Sequence, residues 1–298
     1  MNRILVTGSC GLIGSALVDR LTSLGYSVAG FDTAQHNGGP SDITDPAAVA
    51  AAVDGSVGVV HLAAMSRVNW GEEDPARCNQ VNVTGTENVL AASARMSTPP
   101  WILVASSREV YGQADVFPVS ESAELNPLNH YAMSKLRVEQ LVNSYRESGL
   151  RAGIIRFSNV YGSVADHQDR VVPAFCRLAA AGGVLGVEGP ETTLDFTHID
   201  DVTAALHAYV EMLMGGGEAQ GPLHLVSGRG TNLAELAEMA ITAAGRGTTE
   251  VKPGRTYDVK TFIGDPSRAE MLLGWRTRIS IEDGLADLIG RFASAAKR

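Results

Sequence analysis

Cysteine and positive charge are both scarce in this chain of 298 residues. Its three cysteines, Cys10, Cys78 and Cys176, lie far apart and form no C-x-x-C pair, which argues against a zinc site or a disulfide framework. Cysteines that form no disulfide fit a reducing compartment. The 24 lysines and arginines are outnumbered by 33 aspartates and glutamates, so the net charge of −9 would repel a nucleic acid. We therefore predict no metal site, no disulfide and no nucleic-acid partner.

Long hydrophobic runs are also missing. No segment approaches the roughly 20 apolar residues that a membrane helix needs. The apolar stretch within Met1–Gly8 is too short for a signal peptide. We expect a cytoplasmic protein with no membrane partner. Hydrophobic residues make up 45% of the chain and charged residues 19%, a balance typical of a folded globule with a sizeable core.

Short apolar runs alternate with helical segments through the first half of the chain. Ile4–Val6 predicts a buried strand, and Leu12–Leu24 predicts a helix that follows it. Repeated along the chain, this alternation predicts an α/β fold with a doubly wound parallel sheet. We assign residues 1–162 to this unit and 163–298 mainly to a smaller C-terminal α/β lobe, with a return to the first unit around 195–227. In the second half, helices are predicted over 171–181, 199–214, 233–244 and 281–292, and a strand over 223–226.

A glycine-rich loop, Gly8–Gly14, lies between the first predicted strand and the first predicted helix. Its G-x-x-G-x-x-G spacing lets the backbone approach a pyrophosphate, while the helix N-terminus supplies N–H groups and a positive dipole. Asp32 ends the second predicted strand, where a carboxylate can bind ribose hydroxyls and would repel a 2′-phosphate. The carboxylate of Asp32 therefore favours NAD over NADP. The alternative for the glycine loop is a plain turn before a helix, with no bound phosphate. The cofactor-binding residues expected here are Gly8, Gly11, Leu12, Ile13, Gly14 and Asp32.

Tyr131 and Lys135 form the most informative pair in the sequence. Residues four apart share one face of a helix, and an ammonium group beside a phenol favours the phenolate. We therefore expect Lys135 to lower the pKa of Tyr131 and make it a better base. Ser106 and Ser107 end the fourth predicted strand, at the carboxyl edge where ligands bind in such sheets. A serine hydroxyl there can bind a substrate oxygen.

With these features in this order, the sequence resembles the extended short-chain dehydrogenase/reductase family, in its NAD-dependent epimerase/dehydratase branch. The resemblance covers nearly the whole chain and implies a Rossmann-type sheet. The stretches that carry it are SDITD at 41–45, HLAA at 61–64, NVTGT at 82–86, SSREVYG at 106–112, RFSNVYG at 156–162, DFTHIDD at 195–201 and LGW at 273–275.

The resemblance implies a role for each matched residue. Tyr131 would be the base, Lys135 would also hold the nicotinamide ribose, and Ser107 rather than Ser106 would be the catalytic serine. Asn159 and Arg255 would contact the substrate. The remaining cofactor-binding residues would be Asp42, Ile43, Leu62, Ala63, Ala64, Asn82 and Phe157.

Three positions bear on which reaction the chain catalyses and on which substrate. Glu109 occupies a place where dehydratases and decarboxylases of the family also carry glutamate, so it is either a proton shuttle or a surface loop residue. Arg108 stands where the 4,6-dehydratases carry the aspartic acid that protonates the leaving hydroxyl, and an arginine does not release a proton readily. Leu194 replaces a family arginine that clamps the substrate diphosphate, which leaves open a substrate without a diphosphate.

The first hypothesis is an NAD-dependent epimerase of a nucleotide-activated sugar that works through a keto-sugar intermediate. Alternatives are a sugar or sugar-acid dehydrogenase or reductase, and a decarboxylase or dehydratase that uses Glu109. A catalytically inactive NAD-binding sensor is the alternative outside enzymes. By resemblance, the chain forms a homodimer through helices near 76–95 and 131–148.

Overall fold

Six parallel strands form the central sheet of the computed structural model, which describes residues 3–34, 41–254 and 259–295. Within these ranges the strands are β1 (Arg3–Thr7), β2 (Ser27–Phe31), β3 (Ser56–His61), β4 (Trp101–Ser107), β5 (Ala152–Phe157), β6 (Asn159–Tyr161), β7 (Val184–Glu188), β8 (Thr193–His198), β9 (Leu223–Leu225), β10 (Gly230–Asn232) and β11 (Thr248–Lys252).

Helices connect these strands. They are α1 (Leu12–Ser23), α2 (Pro46–Val53), α3 (Val68–Glu73), α4 (Pro75–Asn79), α5 (Gly85–Ala94), α6 (His130–Glu147), α7 (Val171–Ala181), α8 (Ile199–Met214), α9 (Leu233–Ala244), α10 (Ser267–Leu273) and α11 (Ile281–Ala295). A π-helical turn at Gln80–Thr84 joins α4 to α5, so one helical segment runs over 75–94. A 3-10 turn, Arg108–Tyr111, follows β4. No helix in the described part of the chain is long and apolar enough to cross a membrane.

The central sheet has the order β2-β1-β3-β4-β5-β9 with every pair parallel. Its strands are almost wholly apolar because helices cover both faces. Helices α1 and α8 pack on one face, and α2, α5 and α6 pack on the other. The chain direction across the sheet reverses between β1 and β3, which opens a crevice at their carboxyl ends. The predicted doubly wound parallel sheet is confirmed.

A smaller layer packs beside this sheet. Strands β6, β8 and β10 form one small sheet, and β7 pairs with β11 in another. Helices α7, α9 and α11 bury a separate apolar cluster against them. Strand β9 pairs with β5 in the central sheet, and α8 packs on the same sheet. The division at residue 162 stays a prediction.

Candidate active site

One cavity of about 1330 Å³ lies at the carboxyl ends of β1, β3, β4 and β5 and extends between the central sheet and the smaller layer. Pockets for a single small ligand usually measure about 300–1,000 Å³, so this one has room for a dinucleotide and a second ligand together. Both the glycine loop and Tyr131 line it. The cavity thus joins the two parts of the site that the sequence predicted separately.

The glycine loop packs so closely that it tolerates no side chain at two positions. A Cβ on Gly14 would lie 2.0 Å from the carbonyl oxygen of Gly8, and one on Gly8 would lie 2.7 Å from the backbone N of Ala63. Gly8 also has a φ of +69°, which glycine adopts without strain. The loop therefore brings the start of α1 against the ends of β1 and β3.

The N-terminus of α1 offers free donors to this cavity. Gly11 caps the helix without a side-chain hydrogen bond, so the N–H groups of the first turn have no side-chain partner there. Asp32, at the end of β2, accepts hydrogen bonds from the backbone N–H groups of Cys10 (3.0 Å) and Ala34 (2.9 Å). These contacts hold its carboxylate in the cavity wall. The N–H groups of α1 can bind a pyrophosphate, and the carboxylate of Asp32 can bind ribose hydroxyls. This arrangement fits NAD.

The other predicted cofactor residues surround this crevice, with one exception. Leu12, Ile13, Asp42, Ile43, Leu62, Ala63, Ala64 and Phe157 line the cavity. Asn82 is buried in the π-helical turn and does not line it. Its side chain accepts from the N–H of Met65 (2.8 Å), donates to the Met65 carbonyl (3.1 Å) and donates to Ser134 (2.9 Å). Asn82 therefore fixes the backbone of the cavity wall to α6.

A buried histidine supports the same wall. The Nδ1 atom of His61 lies 2.7 Å from the Thr7 hydroxyl, and Nε2 lies 3.0 Å from the Thr86 hydroxyl. Thr86 donates to the Asn82 carbonyl, and Thr7 accepts from the N–H of Ala63, so the neutral imidazole with hydrogen on Nε2 satisfies every partner. Burial, with a smaller effect of the Lys135 charge, lowers the pKa of His61 to about 3.

Tyr131 and Lys135 both lie in the cavity wall, but Lys135 does not contact the phenol oxygen as expected. Its ammonium donates to the Ala105 carbonyl (2.9 Å) and lies 6.0 Å from the centre of the Tyr131 ring. Burial raises the pKa of Tyr131 to about 12, and its hydrogen bond with Ser107 opposes that rise only in part. The expectation of a lowered phenol pKa is therefore wrong for this structure. Burial likewise lowers the pKa of Lys135 to about 8.

The two serines at the end of β4 face different partners. Ser107 lines the cavity with Tyr131, has a lowering effect on the phenol pKa, and accepts from the N–H of Glu109 (3.2 Å) as it caps the 3-10 turn. Ser106 donates to Glu139 (2.6 Å), which forms a buried ion pair with Arg156 (2.6 Å). Adjacent strand residues point to opposite sides, and here only Ser107 joins the tyrosine.

Glu109 is not a surface residue. It is 7% exposed, lines the cavity and forms an ion pair with Arg108 (2.8 Å), which is 8% exposed. Asn129 donates to its other oxygen (3.3 Å). The guanidinium of Arg108 stacks over Phe262, and its Nη1 atom is buried with no partner among the described residues. The surface-loop alternative for Glu109 is therefore wrong.

The substrate side of the cavity contains residues that the sequence reasoning placed and others that it missed. Asn159 and Leu194 line the cavity, whereas Arg255 lies outside the described residues. Two further segments line the cavity and were not among the predicted site residues, one with Arg67 and one with Asp166 to Arg170. Arg67 forms an ion pair with Asp169 that links them. A signal was present, since charged residues cluster at 166–170 just before a predicted helix. No described group of histidines, cysteines and acids could hold a metal ion.

Comparison with known proteins identifies the family. The model of the NAD dependent epimerase/dehydratase family matches residues 4–220, well over half of the chain. This protein belongs to that family. The match confirms the predicted family and its cofactor, NAD. The six-stranded parallel sheet confirms the predicted Rossmann-type fold.

The relatives of this chain differ from one another in the reaction that their names describe. A UDP-glucose 4-epimerase of Mycolicibacterium smegmatis is 30% identical over 99% of this chain and 100% of its own length. UDP-glucuronic acid decarboxylase 6 of Arabidopsis thaliana is 30% identical over 95% of this chain and 86% of its own. The solved structure of MoeE5 in complex with UDP-glucuronic acid and NAD has a TM-score of 0.90 at 27% identity, covering 99% and 100% of the two chains.

Proposed function

We propose that this protein is an NAD-dependent epimerase that inverts a carbinol carbon of a nucleotide-activated sugar. The observation that carries the proposal is that Ser107, Tyr131 and Lys135 line the same cavity as the glycine loop and Asp32. NAD, when bound, supplies a reversible acceptor for the hydride of the carbinol carbon. The relatives that are UDP-glucose 4-epimerases support a UDP-linked hexose and its C4 carbon as the substrate.

The side chains divide the proton chemistry between them. Tyr131 accepts the proton of the reacting hydroxyl, and Ser107 holds the same oxygen by a hydrogen bond. Burial raises the pKa of Tyr131 to about 12, so its ionised phenol is a strong proton acceptor. During reduction the phenol returns the proton to the alkoxide oxygen formed from the ketone, because an alkoxide is more basic than a phenolate. Lys135 supplies positive charge on the same helix face. Reduction on the opposite face of the ketone completes the inversion.

A decarboxylase or dehydratase role would require Glu109 to move a proton. Its position in the cavity wall beside Ser107 keeps this as a second candidate. Its ion pair with Arg108 disfavours it, because the carboxylate must give up a charged partner to take a proton. Arg108 itself stays charged and provides no replacement acid. A sensor without catalysis has no use for the Ser107–Tyr131–Lys135 arrangement.

Product mass separates these reactions. The purified protein is incubated with a panel of nucleotide sugars and free sugars, with and without added NAD, and each sugar is followed by chromatography and mass spectrometry. Epimerisation gives a new peak of unchanged mass with no net reduction of NAD. Loss of carbon dioxide or water would instead assign the chemistry to Glu109, and loss of two hydrogens would identify a dehydrogenase.

We also propose a homodimer located in the cytoplasm. The helical segment 75–94 and α6 pack side by side, and Met133 on the outer face of α6 is 38% exposed. All three cysteines are free thiols, which fits a reducing compartment. Light scattering on the purified protein should give twice the chain mass of 31.4 kDa, and a mass of one chain would refute the dimer.

A further inference from the structure

Most cations in the cavity wall are already paired with a carboxylate. The lining arginines form the ion pairs Arg67–Asp169, Arg77–Asp42, Arg108–Glu109 and Arg170–Asp166. Two lysines, Lys135 and Lys260, also line the cavity. Lys135 is buried and donates to the Ala105 carbonyl. Lys260 is exposed and forms no ion pair with any described residue, so its ammonium group is available to an anionic ligand.

Hydrogen bonds hold the backbone of Lys260 between two segments of the molecule. Its N–H donates to Oε1 of Gln113 (3.0 Å), which follows the 3-10 turn after β4. Its carbonyl accepts from the N–H of Thr193 (2.8 Å), and the Thr193 carbonyl accepts from the N–H of Phe262 (2.9 Å). The neighbouring Val259 and Phe262 are 2% and 0% exposed. The flexible side chain of Lys260 therefore starts from a fixed point beside β8.

The same pairing places Lys260 next to Leu194, the residue that replaces a diphosphate-clamping arginine of the family. Thr193 and Thr261 form a parallel bridge. Because successive residues of an extended segment point to opposite faces, Leu194 and Lys260 share the face opposite that pair. Both residues line the cavity, in agreement with this register. The ammonium of Lys260 can therefore serve the region that a cation at residue 194 would serve.

A nucleotide sugar in this cavity would place its diphosphate toward the smaller layer. The reacting hydroxyl belongs at Tyr131 and the NAD pyrophosphate at the start of α1, so the rest of the substrate extends away from both. Glu188 and Glu191 also line the cavity in the smaller layer, and their charge would oppose a diphosphate. Binding there needs a cation, and lysine binds phosphate as a compact point charge with three donors.

We propose that Lys260 binds the diphosphate of the nucleotide sugar and supplies the positive charge that Leu194 does not. This inference rests on the proposed function, because it assumes a nucleotide-activated substrate. It assigns a binding role to a residue that the sequence motifs did not indicate. It also favours a substrate with a diphosphate, the question that the leucine at position 194 raises.

Binding of UDP tests the inference without turnover, in calorimetric titrations of the NAD-loaded protein. Lys260→Met keeps an unbranched side chain but removes the ammonium group, so UDP should bind at least about tenfold more weakly, the usual effect of losing a contact to a charged group. Added salt should then weaken UDP binding less steeply than in the wild type. Lys260→Arg keeps the cation and should remain within about threefold of wild type.

The matched control is Lys252→Met on β11. Lys252 belongs to the same layer, pairs with Glu250 (3.4 Å) and does not line the cavity, so this variant should bind UDP as the wild type does. Titration of each variant with NAD alone reports on the fold, and we expect wild-type affinity. Adding Leu194→Arg to Lys260→Met moves the charge to the neighbouring position and should recover at least about threefold of the lost UDP affinity.

Three results would overturn the inference. They are wild-type UDP affinity in Lys260→Met, a loss of NAD affinity in that variant as large as its loss of UDP affinity, and a wild-type protein that binds NAD but no UDP. Failure of the proposed function gives a different result. UDP would bind in a manner that depends on Lys260, but the sugar panel would yield no epimerised product.

Discussion

Tyr131 is the base in the proposed mechanism, and its environment differs from the one expected. The sequence suggested an ammonium group against the phenol, but Lys135 reaches a backbone carbonyl instead, and burial dominates the pKa of Tyr131. The i, i+4 spacing correctly indicated that both side chains share a helix face. It could not show the Ala105 carbonyl that competes for the ammonium, because that contact joins residues 30 positions apart.

Tyr131→Phe should lower kcat about 10²–10⁴-fold, the usual contribution of a positioned acid–base group. KM for the nucleotide sugar should change little, because the ring and its packing remain. Tyr145→Phe, on the same helix but away from the cavity, is the matched control and should retain wild-type rates. Comparable rates in the two variants would remove Tyr131 from the mechanism.

The two serines at the end of β4 should separate catalysis from stability. Ser107→Ala removes the hydroxyl proposed to hold the reacting oxygen beside Tyr131, so kcat should fall at least about tenfold with little change in unfolding free energy. Ser106→Ala removes a hydrogen bond to Glu139 and should cost about 1 kcal/mol of unfolding free energy while activity remains. Steady-state kinetics and urea denaturation measure both effects. The opposite pattern would assign the catalytic role to Ser106.

At the scale of elements, the glycine loop links the sheet to the cofactor site. Gly14→Ala would place a methyl group 2.0 Å from the Gly8 carbonyl, so the loop must shift and NAD affinity should fall at least about tenfold in a binding titration. Gly290→Ala in α11 meets nothing within 4 Å; it should leave NAD binding unchanged and stabilise the fold by about 0.5–1 kcal/mol. Wild-type NAD affinity in the Gly14 variant would contradict this account of the loop.

His61 ties β1, β3 and α5 together and should make stability depend on pH. The unfolded imidazole takes up a proton near pH 6.5, whereas the folded one does so only near 3, so the unfolded state binds more protons between these values. The unfolding free energy should fall by about 1.4 kcal/mol per pH unit on acidification through this window because of His61 alone. His61→Gln should lose that part of the slope, and the exposed His130→Gln should retain it. Equal slopes in all three proteins would refute the assignment.

The predicted bounds of helices agree best with the structure where apolar residues recur with a regular helical period. Helices α7, α8 and α9 have the predicted bounds, because each carries an apolar face with 3.6-residue periodicity. The helix expected near 76–95 is present but contains a π-helical turn at Gln80–Thr84. The three-residue strands β6 and β10 were not predicted, since their pairing with β8 is set by distant residues. Asp166 was not among the predicted site residues for a similar reason, since only the folded chain encloses it.

At the scale of the whole molecule, one cavity between two layers explains the function. The central sheet provides the glycine loop, Asp32 and the Ser107–Tyr131 pair, and the smaller layer provides Asp166 and Arg170. The sequence predicted the first set, because those motifs follow strand ends in a known order. It did not predict the ion pairs Arg67–Asp169 and Asp166–Arg170 beside this cavity, because the first joins residues 102 positions apart and the second is enclosed only in the folded chain.

The most direct test follows the hydrogen on the carbon that reacts. UDP-glucose carrying deuterium at C4 is incubated with the NAD-loaded protein, and the products are separated and weighed by mass spectrometry, with NMR to locate the label. The account predicts a new nucleotide hexose of unchanged mass, with the deuterium still at C4 and no net reduction of NAD. A product that has lost the deuterium, water or two hydrogens would contradict epimerisation by this site.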